Sequence, residues 1–132
     1  MISNFFLLFL LVFIFFLIFD MLWFGTVSYQ KIYKQQFLQL NSNKFSFRKL
    51  PAIITYVILS LGLSVLLYYQ NPTTIVESIC IGLLYGFVVY SVYNGTNYST
   101  IEKYSLKTTI VDTLWGTILC GVLSTIIFVI DF

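Results

Sequence analysis

An all-α polytopic membrane protein, four transmembrane helices in one compact bundle, is the fold class this sequence predicts, and three observations predict it. Charged residues make up only 9% of the chain against 59% hydrophobic residues, whereas soluble domains carry about a quarter charged residues. Long apolar runs divide the 132 residues among them, and each approaches the roughly 20 residues that cross a ~30 Å hydrocarbon layer. All 7 cationic residues fall in two of the connections between those runs. The first observation excludes a water-soluble core. The second makes residues 1–132 a single transmembrane domain.

The first run is purely apolar from Phe5 to Phe19, passes Asp20 and continues to Tyr29, which predicts a span over about 5–29. Met1 to Asn4 carries no Lys or Arg, and no small-residue cleavage site follows, so this span is expected to be retained rather than removed as a signal peptide. Pro51 opens a second span over about 51–69. Asn71 and Pro72 have the form of a helix cap followed by a proline at the first helical position, which predicts a third span over about 72–97. The fourth covers about 108–130. At 1.5 Å per residue these segments are roughly 28 to 38 Å long, enough to cross with some tilt. Cys80 and Cys120 fall inside spans, where a thiol acts as a small hydrophobe and reports no redox compartment.

Lys31, Lys34, Lys44, Arg48 and Lys49 lie between spans one and two, and Lys103 and Lys107 between spans three and four. Cytoplasmic connections retain Lys and Arg, so both are expected to face the cytoplasm, with the N and C termini and the short 70–74 turn on the non-cytoplasmic side. Asn94-Gly-Thr and Asn97-Tyr-Ser match the glycosylation pattern, but this topology puts them on the cytoplasmic side, unmodified. The basic first connection reads as a topology signal ahead of a lipid-headgroup or partner surface.

Two acids interrupt the apolar runs in the same way: Asp20 with Trp23 in the first, Asp112 with Trp115 in the last, each a D-x-L-W. The spans are antiparallel, with Asp20 roughly 14 Å and Asp112 about 6 Å from the inner ends of their spans, so both lie in the cytoplasmic half. The third span delivers Tyr90, Tyr93, Asn94 and Asn97 to that half. Positions three and four apart share a helix face, which aligns Asp20 with Trp23, Asp112 with Trp115 and Gly116, and Gly82, Gly86, Tyr90, Asn94 and Asn97 with one another. Gly82 and Gly86 form a G-x-x-x-G that admits close backbone approach, within the bundle or between subunits. Ser60 and Ser64 give the second span a small-residue face.

An aspartate near the bilayer centre costs about 2.5 to 3.5 kcal/mol on insertion scales, and such groups face a bundle interior. The chain has no His, and no Lys or Arg lies inside a span. Neutralisation therefore comes from a proton, a bound cation, water, or Trp, Tyr and Asn donors. The candidate binding or translocation residues are Asp20, Trp23, Tyr90, Asn94, Asn97, Asp112 and Trp115, with Gly82, Gly86 and Gly116 as packing positions. Glu77, one turn into the third span, and Glu102, in a connection, are expected to be solvated.

These residues fit two functions. In one, the Asp pair moves protons or small cations through a channel or transporter, with Asn94, Thr96 and Asn97 as neutral oxygen ligands; four short spans enclose little space, so a homo-oligomer is expected. In the other, each Asp is a hydrogen-bonded strut in a structural or accessory protein that organises a membrane or supports a lipid-modifying enzyme. The sequence points away from an enzyme, since paired acidic motifs, Cys/His sets, phosphate loops and Ser/His/Asp arrangements are missing. It leaves any metal unassigned. The expected partners are membrane lipids, a second copy of the chain and a proton or small cation, with no nucleic acid and no cofactor.

Asp20-x-x-Trp23-x-Gly25, Tyr90-x-x-Tyr93-Asn94-x-Thr96-Asn97 and Val111-Asp112-x-x-Trp115-Gly116, in this order on three spans, resemble the small predicted membrane proteins called domain of unknown function 2177, found in bacteria and some large DNA viruses. The resemblance covers nearly the whole chain. It implies the fold and the polar cluster, and no reaction. The family pattern in the third span is close to Tyr-Asp-Leu-Thr-Asn, so the resemblance implies a third carboxylate where Asn94 stands here. The implied location is a bacterial inner membrane, or a viral or host membrane for a virally encoded chain. A single alanine, Ala52, beside abundant Ile, Phe, Asn and Tyr suits an AT-rich genome.

Overall fold

The computed structural model describes residues 4–26, 29–42 and 47–130, and every element in them is helical. Four helices are long and apolar enough to cross a membrane: α1 (Phe5–Phe24), α3 (Lys49–Gln70), α4 (Ile75–Thr100) and α5 (Leu106–Ile130). Between α1 and α3 a π-helical turn, Tyr29–Tyr33, runs straight into the short α2 (Lys34–Leu40).

The helix ends follow local chemistry rather than hydropathy, and they correct three expected boundaries. The first span stops at Phe24, not Tyr29. The Gly25 N–H closes on the Met21 carbonyl, while the Thr26 N–H and hydroxyl both donate to the Trp23 carbonyl at 2.9 and 2.6 Å. These bonds satisfy the carbonyls that a helix end leaves free. The second span starts at Lys49, before Pro51, which sits within the first turn, where its missing N–H breaks no helical bond. Asn71 ends α3 instead of opening α4: it takes a left-handed backbone (φ 44°) and returns its N–H to the Leu67 carbonyl. The cap of α4 is Thr74, whose hydroxyl accepts from the Glu77 N–H at 3.2 Å while the Glu77 carboxylate accepts from the Thr74 N–H at 3.3 Å. Glu77 is exposed, as expected, and is occupied in this cap.

α1 and α3 are antiparallel. Phe5 meets Tyr68 edge-on at one end, and Asp20 meets Tyr56 at the other. Leu8, Val12, Phe16 and Asp20 recur every four residues on the buried stripe of α1, so the packing that buries three apolar side chains also turns the aspartate inward. α4 and α5 form the most extensive interface. The Ser78 hydroxyl donates to the Ser124 carbonyl at 2.8 Å, and a methyl added at Gly82 or Gly86 would overlap the backbone of Cys120 or Gly116. Gly82 and Gly86 thus serve a seam inside the chain. Leu63 and Leu67 of α3 and Leu119, Cys120, Leu123 and Ile127 of α5 complete the core, while large apolar side chains such as Met21, Leu84 and Ile118 face outward, as lipid contact requires.

Candidate functional site

Asp20 is only 7% exposed. Its Oδ1 accepts from the Trp115 indole Nε1 of α5 at 2.9 Å and its Oδ2 from the Tyr56 hydroxyl of α3 at 2.7 Å. Asp112 of α5 accepts at Oδ1 from the Tyr33 hydroxyl at 2.9 Å and at Oδ2 from the Asn94 side-chain Nδ2 of α4 at 2.6 Å. Every carboxylate oxygen of the pair holds a donor, and the two acids share none.

The acids do not touch; aromatic rings join them. On each helix the Trp follows the Asp by three residues and so stands on the same face one turn away. The Trp23 and Trp115 rings stack at 4.3 Å, 8° from parallel, and Trp23 meets the Tyr33 ring edge-on at 6.4 Å. The sequence Asp20, Trp115, Trp23, Tyr33, Asp112 is therefore a continuous set of contacts. It is not symmetric: Trp115 donates to the opposite acid, whereas the buried Trp23 Nε1 lies beside Tyr33 without completing a hydrogen bond. Burial, and next the charge of Asp112, raise the Tyr33 hydroxyl well above the ordinary phenol range, so it remains an O–H.

Asn94 is fully buried and is the hub of the α4 side. Its Nδ2 faces two acceptors, the Tyr90 carbonyl at 2.9 Å and Asp112, which fixes the amide orientation; its Oδ1 accepts from the Tyr104 hydroxyl at 2.8 Å. The Tyr90 ring lies over Gly116, where a methyl would overlap it. Asn97 stands apart, beside Tyr93 and Tyr104, and the Thr96 side chain is exposed. Of the expected residues, Asp20, Trp23, Tyr90, Asn94, Asp112 and Trp115 come together around the stacked indoles.

Four participants were not anticipated: Tyr33, Gln36, Tyr56 and Tyr104. Gln36 of α2 is 3% exposed; its Nε2 donates to the Lys103 carbonyl at 2.7 Å and its Oε1 accepts from the Ser105 N–H at 2.7 Å. Gln36 fixes α2 to the 101–105 connection, and Tyr33, three residues earlier on the same face, is thereby held under Asp112. A sequence signal existed: Tyr33 and Gln36 are inward at helical spacing, with Lys31, Lys34 and Gln35 outward.

The chemistry open to this site follows from its donors. Among the described residues no group of three His, Cys, Asp or Glu side chains forms. Each carboxylate oxygen is met by one N–H or O–H hydrogen. Each acid also has one partner that can only donate, an indole or amide N–H, and one tyrosine hydroxyl that can donate or accept. No curated protein and no solved structure matches the chain. A family model described as predicted membrane protein (DUF2177) matches residues 5–129, and the chain belongs to that family.

Proposed function

We propose that this integral membrane protein handles protons, as a small proton channel or transporter in which Asp20 and Asp112 load and release them. The observation that carries this reading is the pairing of one fixed donor with one reversible partner on each carboxylate. While the acid is ionised, its tyrosine donates to it. Once protonated, the acid donates to the tyrosine oxygen and the phenol hydrogen turns to another acceptor, while the N–H bond holds the carboxyl in place. A small metal cation fits less well, because among the described residues no third His, Cys, Asp or Glu joins the two acids and Asn94 Oδ1 accepts from Tyr104.

With the Lys- and Arg-bearing connections cytoplasmic, Tyr33 and Asp112 form the cytoplasmic end of the path, in a bacterial inner membrane or in a viral or host membrane. Four spans leave little internal space, so a second copy completes the working unit. Liposomes holding a pH-sensitive dye, driven by a potassium diffusion potential, test the reading. The wild type acidifies or alkalises the lumen according to the sign of the potential, and Asp20→Asn or Asp112→Asn stops it. A wild type that moves no protons at either sign ends the reading, and sodium or potassium flux at constant pH turns it to a metal cation.

One observation favours a structural or accessory role instead: the two acids tie α1, α3, α4, α5 and the Tyr29–Tyr33 turn together. In that case both Asn variants lose stability and change no flux.

A further inference from the structure

Tyr56 does not stand alone on α3. Ser60 and Ser64 follow it at four-residue steps, which puts their hydroxyls on the same stripe, roughly 6 and 12 Å farther from the Asp112 end. Both serines are 0% exposed, and neither hydroxyl has a hydrogen-bond partner. Serine and threonine in an apolar helix ordinarily donate to the carbonyl four residues back, and Thr117, Ser124 and Thr125 of α5 all do so here. Ser60 and Ser64 do not.

Their surroundings supply no substitute. The buried stripe of α1 beside α3 offers Leu8, Val12 and Phe16 until it reaches Asp20. On α4 the Tyr85 hydroxyl is spent on the Leu59 carbonyl at 2.8 Å. One turn past Ser64, Tyr68 is half-buried against Phe5, near the Asn71 to Thr74 turn. The result is a column of hydroxyls along the buried stripe of α3, starting at the residue that donates to Asp20 at 2.7 Å. The Cα positions of successive members rise about 6 Å along the helix, whereas a direct hydrogen bond needs about 2.5 to 3.0 Å between oxygens, so a relay along the column needs bridging water.

We propose that Ser60 and Ser64, each bridged by a water, carry protons between the Asp20–Tyr56 pair and the membrane face at the Asn71–Thr74 end, with Tyr68 at the mouth. Each hydroxyl accepts a proton on one side as it releases one on the other, so no bond is left altered and no oxidant or co-reactant is required. This rests on the proton reading of the aspartates and supplies its second half.

The full-length protein in the same dye-loaded liposomes tests it. Ser60→Ala with Ser64→Ala keeps the core filled and removes both hydroxyls, and loss of the Asp20-dependent proton flux is expected. A double variant that conducts like the wild type overturns the column, while the aspartate reading stands if Asp20→Asn is still silent. Asp20→Asn and Asp112→Asn conducting normally defeat both ideas. If the alanine variant does not fold, Ser64→Cys in a Cys80→Ser, Cys120→Ala background decides. Labelling of that thiol by a small water-soluble thiosulfonate added at the Asn71–Thr74 side supports the column, and a thiol that stays unlabelled overturns it.

Discussion

Trp115→Phe keeps an aromatic ring against Trp23 and removes the N–H that Asp20 accepts at 2.9 Å. The size of the effect depends on the charge of Asp20. Neutral hydrogen bonds between membrane helices average about 0.6 kcal/mol, whereas those to a charged group contribute about 1.5 to 3 kcal/mol. Exchanging indole for phenyl also alters packing, so the raw loss mixes two causes. A double-mutant cycle of Trp115→Phe with Asp20→Ala cancels the ring change and isolates the bond. For an ionised Asp20 the expected coupling is about 1.5 to 3 kcal/mol. The chain has only 2 tryptophans, so Trp23 alone reports in the Trp115→Phe variant, from inside the site. Its fluorescence through a dodecyl sulfate titration in mixed micelles, checked by far-ultraviolet circular dichroism, gives the stability of each corner of the cycle. Coupling near 0.6 kcal/mol marks a neutral Asp20, and coupling below about 0.3 kcal/mol, the level of independent sites, refutes the bond.

Gly86→Ala sets a methyl against the Gly116 carbonyl and the Thr117 Cα, backbone that cannot rotate aside, and should cost about 1 to 3 kcal/mol in the same titration. Gly95→Ala, with nothing near its added methyl, should cost nothing and gain up to about 1 kcal/mol of helix propensity; equal effects of the two would refute the seam. Gln36→Ala removes the bonds to Lys103 and Ser105 and should speed tryptic cleavage at Lys31 and Lys34 without melting the spans, so an unchanged cleavage rate would show that Gln36 does not hold α2. Burial, and next the neighbouring Tyr93, push the Tyr104 hydroxyl up to about 12. The folded chain then keeps a proton that the unfolded chain releases above pH ~10, so this contribution is complete below that pH and is lost as pH rises toward 12. Tyr104→Phe should flatten that slope in alkaline unfolding, and an identical slope in both proteins would place the cause elsewhere.

The spans were legible because run length alone marks a crossing, and their ends were not, because hydropathy continues where hydrogen bonding stops. The expected span was carried past Phe24 through Val27 to Tyr29, yet Gly25 and Thr26 close the helix. Asn71-Pro72 suits a cap on either neighbouring helix, whereas Thr74-x-x-Glu77 is the more specific start signal and was there to be read. Helix faces were harder. In lipid the outward side of a helix is as apolar as the inward side, so the contrast that orients a soluble helix is absent. Only the polar interruptions carried direction, which is why Asp20, Asp112, Asn94 and the two indoles stood out. Tyr33, Tyr56 and Tyr104 did not, because the chain has 10 tyrosines and only tertiary packing distinguishes these.

The bond between Asp20 and Trp115 spans 95 residues of chain. At translation rates of roughly 5 to 20 residues per second, Asp20 is made about 5 to 20 s before the indole that will bind it. Tyr56 emerges sooner, since only 36 residues separate it from Asp20. During that interval the newly inserted α1 and α3 hold a half-satisfied acid, and its remaining lone pairs depend on water, lipid headgroups or the insertion machinery. Biogenesis therefore has a defined vulnerable period, which closes when α5 leaves the ribosome.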